Sequence, residues 1–208
     1  MDQNDADAAV PPTAGKDYAE RLVDVGQKRW KKILNVQAPF KAHIRHLKLG
    51  RTLDVGCGTG RNLHYLSKES VGVDHNPYSV QVAREAGLTA YQSDDFFADA
   101  SVAVPRGFDS MLAAHVVEHL EKADARMVLG SYLPMIKPGG RVVLITPQER
   151  GHYGGFDHIS FSDFDALSGL VADLGLLPEK HYSFPFPRFA GRFFNYNEFV
   201  SVSKVPTA

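Results

Sequence analysis

One short segment constrains the fold of this 208-residue chain more than any other. The run 52–55 has the sequence Thr-Leu-Asp-Val, with Asp54 between two apolar residues, and three glycines follow it at alternate positions, Gly56, Gly58 and Gly60. Glycine is needed where a backbone turns sharply or approaches a ligand closely, because a Cβ would clash and φ is often positive there. A buried strand that enters such a turn and leaves it as a helix is typical of open α/β sheets, which bind ligands at the carboxyl ends of their strands.

The spacing of the glycines separates two classes of cofactor. A dinucleotide site has the pattern G-x-G-x-x-G, but here Gly60 comes one residue early and Arg61 occupies the position of the dehydrogenase glycine. A second predicted strand then ends in Asp74, whose carboxylate is suited to accept hydrogen bonds from both hydroxyls of a ribose. The pattern therefore disfavours a nicotinamide-dependent oxidoreductase, which stays a remote alternative.

The order D-x-G-x-G-x-G resembles the first motif of the class I S-adenosylmethionine-dependent methyltransferases. Two other segments are similar to that family: the fourth-strand run 108–120, and the turn and strand 137–147 that begin with Lys-Pro-Gly-Gly. The resemblance covers about residues 50–175 and implies S-adenosylmethionine as the cofactor. It also implies a set of cofactor-binding residues: Asp54, Gly56, Cys57, Gly58, Gly60, Asp74, His75, Asp94, Asp95 and His115.

The predicted elements agree with the fold that this resemblance implies. Strands are expected at 52–55, 70–74, 88–92, 108–114 and 140–146, and helices at 61–67, 77–86, 122–136 and from a cap at Ser162 to a stop at Gly175. Such alternation predicts a parallel sheet with helices on both faces. The runs 177–184 and 198–204 resemble the family's sixth and seventh strands, of which the last is antiparallel. We therefore expect an α/β fold with a Rossmann-like sheet of seven strands.

The chain is long enough for one domain with a single core. We expect a disordered tail at 1–15, followed by one methyltransferase domain at 16–208. That domain has three predicted parts: an N-terminal helical cap at 16–49 with helices over 17–34 and 39–47, a cofactor-binding core at 50–175, and a C-terminal β-hairpin at 176–208.

Composition excludes several classes of partner. A net charge of −1 provides no electrostatic footprint for nucleic acid. No stretch approaches the roughly 20 apolar residues of a membrane span. The single cysteine, Cys57, cannot form an internal disulfide, which suits a reducing compartment. We expect a cytoplasmic enzyme without a membrane span or nucleic-acid partner, either a monomer or a homodimer, that acts on a small-molecule acceptor.

Histidines at the ends of predicted strands are the candidate catalytic residues. His115 follows the apolar strand 108–114, so it should emerge at the carboxyl edge of the sheet, and His152 lies on the loop above the same edge. A hydroxyl or protonated amine must lose a proton to accept a methyl group, and a base near neutral pKa is useful for that. We predict transfer to oxygen or nitrogen with His115 or His152 against the acceptor. A cofactor-binding regulatory protein without transfer activity stays open.

A metal-assisted enzyme is a further alternative. His115, Glu118 and His119 stand at i, i+3 and i+4 and would share one face of a helix. Some members of the family hold a divalent ion with E-x-x-E-H at this place, but His115 replaces the first glutamate here. We therefore predict no metal ligands, and interpret His119 and His158 as structural residues.

The segment 182–199 is dense in aromatic residues. Two interpretations remain open: a wall or lid of a pocket for an apolar acceptor, or ordinary core packing beneath a hairpin loop. The residues concerned are Tyr182, Phe184, Phe186, Phe189, Phe193, Phe194, Tyr196 and Phe199.

Overall fold

The computed structural model of the chain describes residues 15, 37–155 and 158–207. The predicted helix over 17–34 lies outside these residues, as does all of the predicted tail except Gly15. The carbonyl of Gly15 accepts a hydrogen bond of 3.1 Å from the side-chain amide of Asn76.

Seven strands form one sheet in the order β3-β2-β1-β4-β5-β7-β6. The pairs among β1 to β5 are parallel, whereas β7 runs antiparallel to both of its neighbours. The strands are β1 (Thr52–Val55), β2 (Val71–Asp74), β3 (Ala90–Gln92), β4 (Phe108–Ala114), β5 (Ile136–Pro147), β6 (Leu177–Phe184) and β7 (Glu198–Lys204). This architecture confirms the predicted Rossmann-like α/β fold.

Helices connect these strands on both faces of the sheet. They are α1 (Ala38–His46), α2 (Pro77–Glu85), α3 (Ser93–Ala98), α4 (Lys122–Tyr132), α5 (Glu149–His152) and α6 (Phe164–Asp173). Short 3₁₀ helices lie at Leu63–Tyr65, Val117–His119, Leu133–Met135 and Arg188–Arg192. None of the helices in the described part of the chain is long and apolar enough to cross a membrane.

Three local predictions were wrong. The segment expected as a helix over 61–67 holds only the 3₁₀ turn Leu63–Tyr65. No helix was predicted after β3, but Asp94 and Asp95 lie in the first turn of helix α3. The cap of α6 is Asp163, whose side chain accepts hydrogen bonds from the backbone amides of residues 165 and 166, and not Ser162.

The core has two main layers, one on each side of the sheet. Alternate residues of a strand point to opposite faces, so Met111 packs in one layer and Leu112 in the other. The second layer also contains Ile44 from α1, which ties this helix to the sheet. The sheet is thereby covered on both faces, and its carboxyl edge is where loops can build a site.

A buried polar network fixes the loop between β6 and β7. The side-chain amide of Asn197 donates to the side-chain oxygen of Gln148 at 2.9 Å, and its own side-chain oxygen accepts from the amide of Phe186 at 2.9 Å. Gln148 donates in turn to the carbonyl of Glu198 at 2.9 Å. Both Asn197 and Gln148 are fully buried, so the aromatic loop is anchored to the end of β5.

Candidate functional site

The glycine turn after β1 is the first component of the site. Gly56, Gly58 and Gly60 all have positive φ, at 71°, 54° and 85°, where only glycine is unstrained. A Cβ at Gly56 would lie 2.3 Å from a methyl carbon of Val116. Val116, the residue after His115, thus packs directly against the turn. The candidate catalytic residue His115 therefore lies next to the predicted cofactor-binding turn.

Asp74 holds the turn in place from the end of β2. One of its carboxylate oxygens accepts from the amide of Gly58 at 2.8 Å, and the other accepts from the amide of Asn76 at 2.8 Å. A carboxylate oxygen has lone pairs for more than one donor. Each oxygen of Asp74 therefore keeps acceptor capacity for a ligand hydroxyl.

Asp54 lies beneath the turn and is almost completely buried. Among the described residues, its Oδ2 has no hydrogen-bond partner. Burial raises the pKa of Asp54 to about 7, against the lowering effect of the Arg61 charge. A buried acceptor without a donor costs free energy, so a positively charged ligand group at this place would stabilise the ionised carboxylate.

The other predicted cofactor residues surround this turn at the same edge. Burial, reinforced by the charges of Asp54 and Asp74, raises the pKa of the Cys57 thiol well above its ordinary value. A neutral thiol is a poor nucleophile, which agrees with a packing role for Cys57. His75 follows β2 and is half exposed, with its Nδ1 3.6 Å from the Asp74 carboxylate.

Asp94 and Asp95 stand in the first turn of α3, directly after β3, and both are exposed. Their carboxylates are accessible at the carboxyl end of the third strand.

His115 is the residue with the least ordinary backbone at this edge. It directly follows β4 with φ at 61°, a left-handed conformation that costs a non-glycine residue about 1–3 kcal/mol and is concentrated at functional sites. Its amide extends the β4–β5 ladder by donating to the carbonyl of Ile145 at 2.9 Å. The backbone therefore fixes the direction in which the imidazole leaves the sheet.

Two carboxylates hold the imidazole of His115. Its Nδ1 lies 3.0 Å from Oε1 of Glu118, and its Nε2 lies 2.9 Å from Oε1 of Glu198. Burial opposes a positive charge on the ring, but the hydrogen bonds to both glutamates and their charges outweigh it and raise the pKa of His115 to about 9. Since carboxylates only accept hydrogen bonds, the ring donates from both nitrogens.

Glu198 is a site residue that sequence reasoning missed. It is the first residue of β7 and pairs with Pro147, the last residue of β5. Because β7 runs antiparallel to β5, it begins at the edge of the sheet where β5 ends. The predicted antiparallel strand over 198–204 therefore implied that residue 198 lies at this edge. The contact with His115 spans 83 residues of sequence, and no local pattern reveals it.

His152 is the last residue of α5 and lies beside a second histidine, His158. It is buried, and its Nδ1 has no hydrogen-bond partner among the described residues. Its ring stacks on that of His158 at 5.2 Å between centroids, and the His158 ring meets that of His119 at 5.0 Å. Burial and the charge of His158 lower the pKa of His152.

The three residues weighed as a possible metal-binding triplet, His115, Glu118 and His119, do not converge on one point. Ligand atoms of Glu118 and His119 come together with one from His158 instead, whereas both nitrogens of His115 are engaged by carboxylates.

Most of the aromatic segment is exposed. Phe193 is 80% exposed and Phe189 is 68% exposed, while Phe199 is fully buried. The core-packing interpretation is therefore wrong for the aromatic residues of the loop between β6 and β7: Phe186, Phe189, Phe193, Phe194 and Tyr196.

Comparison with known proteins agrees with this geometry. Residues 53–142 match the family model of a methyltransferase domain. No curated protein matches the chain at a significant level. Among solved structures, an S-adenosylmethionine-dependent methyltransferase from Archaeoglobus fulgidus is 20% identical, with a TM-score of 0.63, over 84% of this chain and 96% of its own.

Two other structures have the same fold over most of both chains. One belongs to the complex between the Haloferax volcanii Trm112 methyltransferase activator and the putative methyltransferase; it is 16% identical, with a TM-score of 0.70, over 96% of this chain and 99% of its own. The other is a methyltransferase from Thermotoga maritima described as a possible histamine N-methyltransferase; it is 17% identical, with a TM-score of 0.62, over 90% of this chain and 97% of its own.

The sheet order, the glycine turn and the match of residues 53–142 to a methyltransferase domain support a class I S-adenosylmethionine-dependent methyltransferase. The chain is thus an enzyme of the transferase class, and S-adenosylmethionine is its cofactor. The residues present fit that group: the buried Oδ2 of Asp54 lacks a donor among the described residues, and both oxygens of Asp74 keep acceptor capacity at the carboxyl edge of the sheet.

Proposed function

We propose that this enzyme transfers the methyl group to an oxygen or nitrogen atom of a small-molecule acceptor in the cytoplasm. The observation that carries the proposal is the position of His115. It leaves the sheet one residue before Val116, which packs on the cofactor turn, and it is held between Glu118 and Glu198.

On the donor side, each residue has a distinct role. We assign the ribose hydroxyls to Asp74, the amino-acid portion to the amides of the glycine turn, and its ammonium group to Asp54. The adenine would lie near His75 and the acids Asp94 and Asp95. The sulfonium of the bound cofactor makes its methyl group electrophilic, and holding donor and acceptor in attack geometry is worth up to roughly 7–11 kcal/mol.

On the acceptor side, we assign His115 to holding a proton and orienting Glu198. An imidazole that donates from both nitrogens has no lone pair, so the group that can accept a proton from an O–H or N–H is a carboxylate. Glu198 is the better placed, because its side chain is 10% exposed whereas that of Glu118 is fully buried. His152 borders the same edge and would contact the far side of the acceptor.

The exposed aromatic loop supports an acceptor with apolar or aromatic surface. Its residues follow the cis bond between Phe184 and Pro185 and are tied to the end of β5 through Asn197. Apolar walls with a few convergent polar groups are typical of small-molecule sites.

The acceptor class is tested with the pure enzyme, a cell extract and cofactor carrying an isotope-labelled methyl group. We expect the label in a compound of low molecular mass, in an amount that falls when Asp74→Asn replaces the wild type. Label retained only in protein or nucleic acid would contradict the small-molecule assignment.

With that compound identified, Glu198→Gln tests the acceptor-side role. We expect kcat to fall roughly 100-fold or more, in the range of general-base catalysis, while cofactor affinity stays within twofold. The matched control is Glu69→Gln, at an exposed residue before β2. Full turnover by Glu198→Gln would contradict the assignment.

A further inference from the structure

We propose that the aromatic loop, residues 186–196, docks on the surface of an anionic lipid bilayer. The loop carries exposed aromatic side chains at Phe186, Phe189, Phe193, Phe194 and Tyr196. Such rings are favoured at the boundary between the headgroups and the acyl chains, where apolar surface leaves water. The loop would lie on the bilayer and not cross it.

The exposed rings form an apolar surface. The Phe194 ring meets the rings of Phe186 and Tyr196, with centroids 5.2 and 5.6 Å apart. Phe189 lies in the short 3₁₀ helix of the loop and Phe193 directly follows that helix; they are 68% and 80% exposed. Exposed apolar surface of this kind marks sites of interaction with a protein or a membrane. Full removal of one such side chain from water contributes about 1.5–3 kcal/mol.

The charges beside these rings are mainly positive. The loop contains Arg188 and Arg192 and no acidic residue. The neighbouring helix α5 adds Arg150 and Glu149. Arg188 is paired with Glu149 at 2.8 Å, whereas Arg150 donates to the neutral side chain of Asn195 at 3.1 Å. Three arginines and one glutamate leave these two segments with an excess of positive charge, although the whole chain has a net charge of −1.

This local charge favours an anionic lipid surface over a second copy of the chain. In a two-fold interface the same patch meets itself, so the arginines of the two copies would repel each other. Near an anionic bilayer, by contrast, each arginine contributes about 1 kcal/mol of attraction. A bilayer also needs no cavity to receive side chains as exposed as Phe189 and Phe193.

The loop is held in position before it docks. Asn197 bonds to both ends of it, because its side chain accepts from the amide of Phe186 and also donates to Gln148. A Cβ at Gly191 would overlap the side chain of Gln148, so the 3₁₀ helix of the loop rests on that residue. A preorganised surface loses less conformational entropy when it binds.

Docking would place the acceptor side of the site at the bilayer surface. Glu198 follows Tyr196 by two residues, opens β7 and contacts His115. An apolar acceptor dissolved in the bilayer would reach this edge of the sheet without entering bulk water. This use of the docked loop rests on the proposed methyl transfer, whereas docking itself does not.

Docking is tested by sedimentation of the full chain with vesicles, without cofactor or acceptor. One set of vesicles contains equal parts of phosphatidylcholine and phosphatidylglycerol, and the other contains phosphatidylcholine alone. We expect tighter binding to the anionic vesicles, and binding that weakens as salt is added. The double variant Phe189→Ser with Phe193→Ser should bind roughly 10-fold or more weakly, because the burial of two rings is lost. Arg192→Gln should bind roughly fivefold more weakly.

The matched control is Met127→Ser, at an apolar residue of α4 that is 67% exposed. It should bind vesicles as the wild type does. Cofactor binding by each variant checks its folding, because the aromatic loop is not assigned to the cofactor. If the double variant does not fold, Arg192→Gln and the dependence on salt test docking by themselves.

A wild type that binds neither set of vesicles, or binds both sets equally, overturns the proposal. Undiminished binding by the double variant or by Arg192→Gln does so as well. Self-association of the wild type that the double variant lacks, without vesicle binding, would assign the surface to a second copy and overturn it too. Vesicle binding is measured without methyl transfer, so failure of the proposed reaction would leave this result unchanged.

Discussion

Gly56 is a residue at which the cofactor turn tolerates little change. Its φ of 71° is unfavourable for any side chain, and a Cβ would overlap Val116. We expect Gly56→Ala to lower the free energy of unfolding by about 2–4 kcal/mol, since the left-handed conformation alone costs about 1–2 kcal/mol and the displaced valine adds to it. Chemical denaturation and a cofactor titration measure both effects.

Gly87→Ala is the matched control, because Gly87 has a φ of 79° and open space where its Cβ would be. It should show the backbone cost alone and retain cofactor affinity. If the two alanine variants lost the same stability and bound the cofactor equally, close packing at Gly56 would have no part in the site.

The ionisation of Asp54, beneath the same turn, makes the stability of the protein depend on pH. Its pKa of about 7 in the folded protein exceeds the ordinary value of 3.8, so the native state binds more protons than the unfolded state between these values. Stability should therefore fall as pH rises through this window, by at most about 1.4 kcal/mol per pH unit, and level off above it. Urea unfolding of the wild type and Asp54→Asn across the window measures this difference.

The asparagine variant cannot ionise, so the difference in stability between wild type and variant should change across the window and be constant above it. A difference independent of pH would show that Asp54 is already ionised in the unliganded protein.

At the scale of secondary-structure elements, the N-cap of α6 is a residue other than the one that the sequence pattern predicted. The Asp163 side chain accepts from two backbone amides of the first turn, at 3.2 and 3.0 Å. Loss of such a cap costs about 0.5–2 kcal/mol. We expect Asp163→Ala to lower the free energy of unfolding by about this amount, and thermal unfolding measures it.

Asp124→Ala serves as the comparison, since Asp124 is exposed in the first turn of α4 but is not its cap. It should change stability by less than about 0.5 kcal/mol. A larger loss for Asp124→Ala than for Asp163→Ala would contradict the assigned cap.

The strands could be predicted because their apolar runs are bounded by turn residues; β1, β4, β6 and β7 have the predicted limits. The wrong elements are short. After Gly60, the chain makes one hydrogen bond of helical spacing, from His64 to Gly60, and then only 3₁₀ bonds before the Ser67–Ser70 turn. Helix α3 has six residues, too few for a periodic pattern.

At the scale of the molecule, local sequence could locate the cofactor half of the site but not the acceptor half. Asp54, Gly58 and Asp74 lie on two neighbouring strands and the turn between them, so spacing alone brings them together. Glu198 meets His115 only because β7 is inserted between β5 and β6. His158 meets Glu118 through a loop that docks by backbone hydrogen bonds, which side-chain patterns do not encode.

The central claim is that the turn after β1 binds the amino-acid portion of S-adenosylmethionine while Asp74 binds its ribose. Isothermal titration calorimetry of the folded protein tests it with S-adenosylmethionine and S-adenosylhomocysteine. We predict one binding site in the wild type and a loss of roughly 10-fold to 100-fold in affinity for Asp74→Asn, as expected for hydrogen bonds to a charged group. Asp124→Asn should bind as the wild type does. Binding of neither ligand by the folded wild type, or undiminished affinity in Asp74→Asn, would contradict the account.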